Sequence, residues 1–147
     1  IDKDLKLSKK MNLIGSKDFG KLFFVHDLNL KQDKIESMKV KGIRTIGVST
    51  LENGNLNLDE IFKNLSKLGL TSVLVEGGGK IATSLLEVEL VDKLILFTAG
   101  IILDKNGIDG FQPSIPESIN LNNYNRYDLD KSLTIGNDVA HFWNINN

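Results

Sequence analysis

The sequence predicts an α/β fold with a mostly parallel sheet, and three observations carry that expectation. From Lys21 to Thr98 short apolar runs alternate with amphipathic stretches in the order β-α-β-α-β-α-β, the pattern of a sheet covered by helices on both faces. Residues 124–130 and 134–144 then read as two strands joined by a turn at 130–133. Such a terminal pair lies antiparallel at one sheet edge. Finally, one strand runs straight into three glycines, Gly77-Gly78-Gly79, where a helix begins.

Each element has a local reason. Phe23-Phe24-Val25 marks a strand within residues 21–26. Residues 31–41 are polar with Ile35 and Met38 three apart, a modest helix that Gly42 closes. Residues 43–49 alternate β-branched and small side chains, another strand, and the asparagine-rich stretch 52–57 is a turn. Leu58, Ile61, Phe62, Leu65 and Leu68 form one stripe at helical spacing. Asn57 is placed to cap that helix, Glu60 to complete a capping box, and Gly69 to stop it. Residues 71–75 are a strand centred on Val73-Leu74-Val75, residues 80–90 a helix, and residues 91–98 a strongly apolar strand. Residues 104–123 hold both prolines and read as a surface loop.

Composition narrows the function. The 147 residues fit one domain, with 41% apolar residues and enough chain to bury a real core. Eighteen basic and nineteen acidic side chains leave a net charge of −1, which gives no electrostatic reason to bind nucleic acid. Cysteine is absent, so disulfides, thiolate metal sites and a cysteine nucleophile are excluded, and no metal is expected. No apolar run approaches the ~18 residues of a membrane span. The absence of cysteine fits a reducing compartment, and a cytoplasmic setting is expected. The chain starts at Ile1 without a signal-peptide plan, and is expected to begin part-way through a longer protein.

The glycine segment is the sharpest chemical signal. Glycine lets a backbone approach a ligand closely, and a helix start presents unpaired N–H groups at a positive dipole end. Phosphate or diphosphate is the natural guest, and Lys80 adds a point charge. Gly77, Gly79 and Ala82 satisfy the spacing G-x-G-x-x-[GA]. The acid expected about 20 residues on is missing, because Phe97, Thr98 and Ala99 hold its place. A turn serving only tight strand-to-helix packing is the alternative. Glu76 stands at the carboxyl end of the preceding strand, where open α/β sheets place ligands. Its carboxylate either binds hydroxyls or an amine of a substrate, or favours the helix end electrostatically.

Other candidates are weaker. His26, beside Asp27, is more simply a satisfied surface histidine than a ligand contact. His141, beside Phe142 and Trp143, reads as structural, and Asp92 as a cap or turn. Two histidines so far apart make no metal site.

Residues 68–79, Leu-Gly-Leu-Thr-Ser-Val-Leu-Val-Glu-Gly-Gly-Gly, continue through Ser84-Leu85-Leu86 to Leu90-Val91-Asp92-Lys93-Leu94. This series closely resembles the C-terminal reductase domain of the bifunctional riboflavin-biosynthesis protein RibD. Ile1-Asp2 with Leu5 and Leu7, and Ile135-Gly136-Asn137-Asp138-Val139, resemble its outer motifs more loosely. The resemblance implies a dihydrofolate-reductase-like fold, NADPH as cofactor, and reduction of the ribosylamino group of a phosphorylated pyrimidine to a ribitylamino group. It implies that Glu76 contacts substrate. Gly78, Gly79, Lys80, Ile81, Ala82, Thr83 and Ser84 match the cofactor-phosphate loop and helix start, and Lys3 a further cofactor contact. It also implies that this chain is the C-terminal part of the reductase domain, lacking the domain's N-terminal half and the deaminase domain, and inactive alone. A homo-oligomer is expected. The open alternatives are a non-catalytic nucleotide- or phosphate-binding module and an oligomerisation domain.

Overall fold

The computed structural model describes residues 1–7, 22–39, 43–102, 107–108, 110–111 and 127–145. The chain divides into two compact units, Ile1–Val73 and Leu74–Asn147.

The first unit is built on two parallel strands, β1 (Phe23–Asp27) and β2 (Arg44–Val48), in register from Phe23↔Arg44 to Asp27↔Val48. Successive strand side chains point to opposite faces, so β1 feeds two separate cores. Phe24 packs with Leu5, Met38 and Ile43 on the face covered by α1 (Gln32–Lys39). Val25 packs with Val48, Leu56 and Ile61 on the face covered by α2 (Leu58–Lys67). The expectation of helices on both faces holds here. Gly42, expected to close α1, lies outside the described residues.

A tight turn at the chain start serves the first of these cores. The Leu5 N–H donates to the Asp2 carbonyl, and the Asp2 carboxylate accepts from the Leu7 N–H at 2.8 Å. Leu5 pays for this with φ 47°, a left-handed conformation costing ~1 kcal/mol for an L-residue. Burying its side chain contributes about 1.5–3 kcal/mol. Burial wins.

Helix α2 is the best-specified element. Asn57 caps it, its side-chain oxygen accepting from the Glu60 N–H at 3.2 Å. Glu60 does not complete the capping box. Its carboxylate instead accepts from the Ser49 N–H at 2.8 Å and the Ser49 hydroxyl at 2.6 Å, because the end of β2 offers two donors at once. Those hydrogen bonds hold the Glu60 carboxyl below its ordinary range. Gly69, at φ 84°, ends the helix in a Schellman motif: Leu70 N–H donates to Leu65 O and Gly69 N–H to Ser66 O.

The second unit contains α3 (Gly79–Glu87) and three antiparallel strands, β3 (Lys93–Thr98), β4 (Asp128–Ile135) and β5 (Asp138–Asn144), in spatial order β3-β5-β4. The reading of a turn at 130–133 is corrected: Asp130, Lys131 and Ser132 lie within β4, and the chain reverses at Gly136-Asn137. Polar residues on an exposed strand imitate turn composition, whereas Gly136 at φ 63° supplies the backbone a tight hairpin requires. The loop expected at 104–123 falls almost entirely outside the described residues.

A second correction concerns residues 71–75. Val73, Leu74 and Val75 are exposed, and among the described residues the segment joins no strand ladder. Strand propensity reflects packing against cross-strand neighbours, and none pairs with this segment among the described residues.

Asn57→Ala should lower stability by about 1 kcal/mol, measurable by denaturant unfolding. The Glu60 carboxyl has a folded value below its ordinary 4.5. Its stabilising contribution is therefore fully present above pH 4.5 and is lost as pH falls through the lower folded value. Glu60→Gln should flatten that part of the thermal-midpoint-against-pH curve.

Candidate functional site

Glu76 is exposed on the irregular stretch that leads into the glycines. Gly78 precedes α3 at φ 16° and ψ 154°, and no side chain caps the helix. The first intrahelical bond runs from Ala82 N–H to Gly78 O at 3.3 Å, so the N–H groups of Gly79, Lys80 and Ile81 precede the helical ladder. A Cβ on Gly78 would meet nothing within 4 Å, and one on Gly77 would touch only Ile81 Cγ2 at 3.7 Å. Packing by the described residues does not demand these glycines. The turn leaves open space in front of a positive helix end, which suits an anion.

The remaining positions fall on two sides of α3. Lys80 is exposed, Ile81, Ala82 and Ser84 are half-buried, and Thr83 is buried at 8% exposure alongside Leu85. Thr83 thus belongs to the packed face of the helix. Glu76 and 78–84 form one continuous segment of the second unit. Lys3 belongs to the first unit, where its ammonium donates to the Gly54 carbonyl.

The carboxyl ends of β1 and β2 bring together groups whose contacts the sequence did not reveal. Asp27 Oδ1 accepts from the Asn29 N–H at 2.8 Å and Oδ2 from the Thr50 hydroxyl at 2.9 Å. The Asn29 bond, followed by the Thr50 bond, holds the Asp27 carboxyl below its usual range. An acid ending an apolar strand is the same signal that marked Glu76. His26 is buried rather than on the surface, with Nδ1 2.7 Å from the Asp27 carbonyl oxygen. Gly47 lies beside it: a Cβ there would come within 3.0 Å of Leu28 Cδ1 and would reach contact, at 3.4 Å, with His26 Cε1. His141 sits 2.9 Å from Ser132 Oγ across the β4–β5 pair and 6.3 Å from the Trp143 ring, a structural arrangement. Among the described residues no three histidine or carboxylate groups assemble to hold a metal, and no helix is long and apolar enough to cross a membrane.

The RibD C-terminal domain model matches residues 1–141. The chain belongs to the RibD C-terminal domain family. No curated protein sequence matches at a significant level. Among solved structures, it is similar to Acinetobacter baumannii RibD at TM-score 0.77 and 15% identity, covering 99% of this chain and 36% of that one. A pyrimidine reductase-like protein of Corynebacterium diphtheriae gives TM-score 0.78 and 18% identity, with 99% and 59% covered. The riboflavin biosynthesis reductase Rib7 of Saccharomyces cerevisiae gives 0.66 and 18%, with 100% and 68% covered. These likenesses establish the fold, an α/β fold shared with RibD and with the pyrimidine reductase-like protein. The chain spans about a third of the length of the RibD polypeptide it matches.

Gly77→Ala should be neutral, or stabilising by up to ~1 kcal/mol through the unfolded chain, because its Cβ meets only an ordinary contact. Thermal unfolding checks this; a loss above that size would restore a packing role to the turn.

Proposed function

We propose that this chain is the C-terminal part of a pyrimidine reductase of riboflavin biosynthesis. In that reading the intact enzyme uses NADPH to reduce the ribosylamino group of a phosphorylated pyrimidine to a ribitylamino group, and the chain alone is inactive. The observation that carries the reading is the open glycine turn at Gly78, inside a family match spanning residues 1–141. The fit to a dinucleotide rests on the space beside Gly78, which a Cβ would fill, and on the uncapped start of α3.

NADPH supplies the hydride when bound. The chain's own part is binding and orientation. The N–H groups at the start of α3 receive a diphosphate without a charged side chain having to be ordered first, and exposed Lys80 adds positive charge beside them. Glu76, exposed just before the turn, offers a carboxylate to substrate hydroxyls or an amine. Ile81, Ala82, Thr83 and Ser84 complete the cofactor-phosphate segment in this reading, and Lys3, on the first unit, is carried from the family resemblance alone as a further cofactor contact.

Cofactor choice follows from charge. Where a ribose-binding acid would repel a 2′-phosphate, β3 ends in Phe97-Thr98 followed by Ala99, and Lys80 favours the additional phosphate. The intact polypeptide should therefore bind NADPH more tightly than NADH in a fluorescence titration. Equal or tighter NADH binding would refute that preference. Gly78→Val should weaken NADPH binding by about tenfold or more, equivalent to ~1.4 kcal/mol. Glu76→Gln should reduce turnover while leaving cofactor affinity and the melting temperature unchanged. Tight phosphate or nucleotide binding without any reduction would favour the binding-module reading instead.

A further inference from the structure

The connection from β2 to α2 reverses direction through Leu51–Gly54. The Gly54 N–H donates to Leu51 O at 2.9 Å and the Leu51 N–H to Asn55 O at 2.8 Å, with Thr50 bridging Leu56 beyond them. Gly54 takes φ 82°, the left-handed conformation that a glycine supplies in tight hairpins. Residues 51–55 are all exposed. Lys3 holds the reversal from outside it, its ammonium donating to the Gly54 carbonyl.

Asn53 stands in this turn with its side chain fixed. Its Oδ1 accepts from the Asn55 N–H at 3.0 Å, so a backbone donor polarises the amide carbonyl. The next residue is glycine, whose nitrogen reaches Asn53 Cγ with no Cβ in the way. No other asparagine among the described residues precedes a glycine: Asn29, Asn55, Asn57 and Asn64, for example, each precede a leucine. A second Asn-Gly pair, Asn106-Gly107, begins outside the described residues.

We propose that Asn53 is a site of spontaneous modification, converting to aspartate and isoaspartate, and that the isoaspartyl form unlatches Lys3 from the turn. The Gly54 nitrogen, its proton lost to hydroxide, attacks Asn53 Cγ. The Cγ–Nδ2 bond then breaks, ammonia leaves, and a cyclic imide closes. The Asn55 N–H stabilises the negative charge that gathers on Oδ1 during the attack. Water opens the imide at either carbonyl. Opening at the main-chain carbonyl moves the peptide link onto the side chain and adds one carbon to the backbone. That carbon displaces the Gly54 N–H from Leu51 O and the Gly54 carbonyl from Lys3. Folding opposes the first step only through the bond from Gly54 N–H to Leu51 O. One exposed hydrogen bond slows the reaction by about tenfold relative to the denatured chain, equivalent to ~1.4 kcal/mol.

The test incubates the whole chain at mildly alkaline pH, folded and in urea, and maps it by peptide mass spectrometry with isoaspartate-specific enzymatic methylation. Asn53 should convert to both acids within about tenfold of the denatured rate, while Asn29, Asn55, Asn57 and Asn64 stay intact. In the separated isoaspartyl form an amine-reactive ester should label Lys3 several-fold faster than in the fresh protein. Asn53→Ser keeps an oxygen for the Asn55 N–H but has no amide to lose, so its Lys3 labelling should not change on incubation. Asn53 left intact while the denatured chain converts, or conversion spread evenly over the asparagines that precede leucine, would overturn the modification site. Unchanged Lys3 labelling in the isoaspartyl form, or an equal rise in incubated Asn53→Ser, would overturn the unlatching.

Discussion

A strand that is apolar on both faces has to be covered on both faces, and this constraint organises the whole chain. In the first unit it is met. Phe24 and Val25, adjacent in sequence, enter two different cores, one closed by α1 and the other by α2. The parallel register of β1 with β2 is fixed by this division, since a one-residue slip would move every buried side chain to the wrong face. Where the constraint is unmet, at β3 and at residues 73–75, apolar side chains stand exposed.

Local devices secure the helices that provide the cover. A side-chain cap at Asn57 and a glycine in left-handed conformation at Gly69 set both ends of α2. Glu60 then ties the first turn of that helix to Ser49 at the end of β2, so one carboxylate links helix and sheet. Helix α3 ends in the same backbone pattern, with Leu90 N–H on Leu85 O and Glu89 N–H on Leu86 O, but Glu89 takes the left-handed position at φ 56°. The start of α3 has no corresponding side-chain cap. That asymmetry leaves the first backbone N–H groups of α3 without a side-chain cap.

Much of the candidate site's local geometry was legible because it depends on neighbours in sequence. Three glycines before an amphipathic stretch specify an open helix start whatever surrounds them, and Glu76 precedes them by one residue. The groups that went unread are of another kind. Asp27 and Thr50, and likewise Ser49 and Glu60, meet through hydrogen bonds between residues far apart in the chain. His26 looked like a surface residue because it neighbours Asp27, whereas it is buried where β1 pairs with β2, opposite Gly47.

The sequence by itself determined the local elements: the α2 stripe with its cap and stop, the apolar runs of β1, β2 and β3, and the glycine turn into α3. Each is written in residues within one or two turns of one another, where periodicity and capping act. Tertiary structure decided which of these elements paired. It placed β1 beside β2 in parallel, moved the C-terminal reversal to Gly136-Asn137 and, among the described residues, left 73–75 outside any ladder. Strand pairing is a property of two segments at once, because the hydrogen-bonding groups of one strand are satisfied only by another.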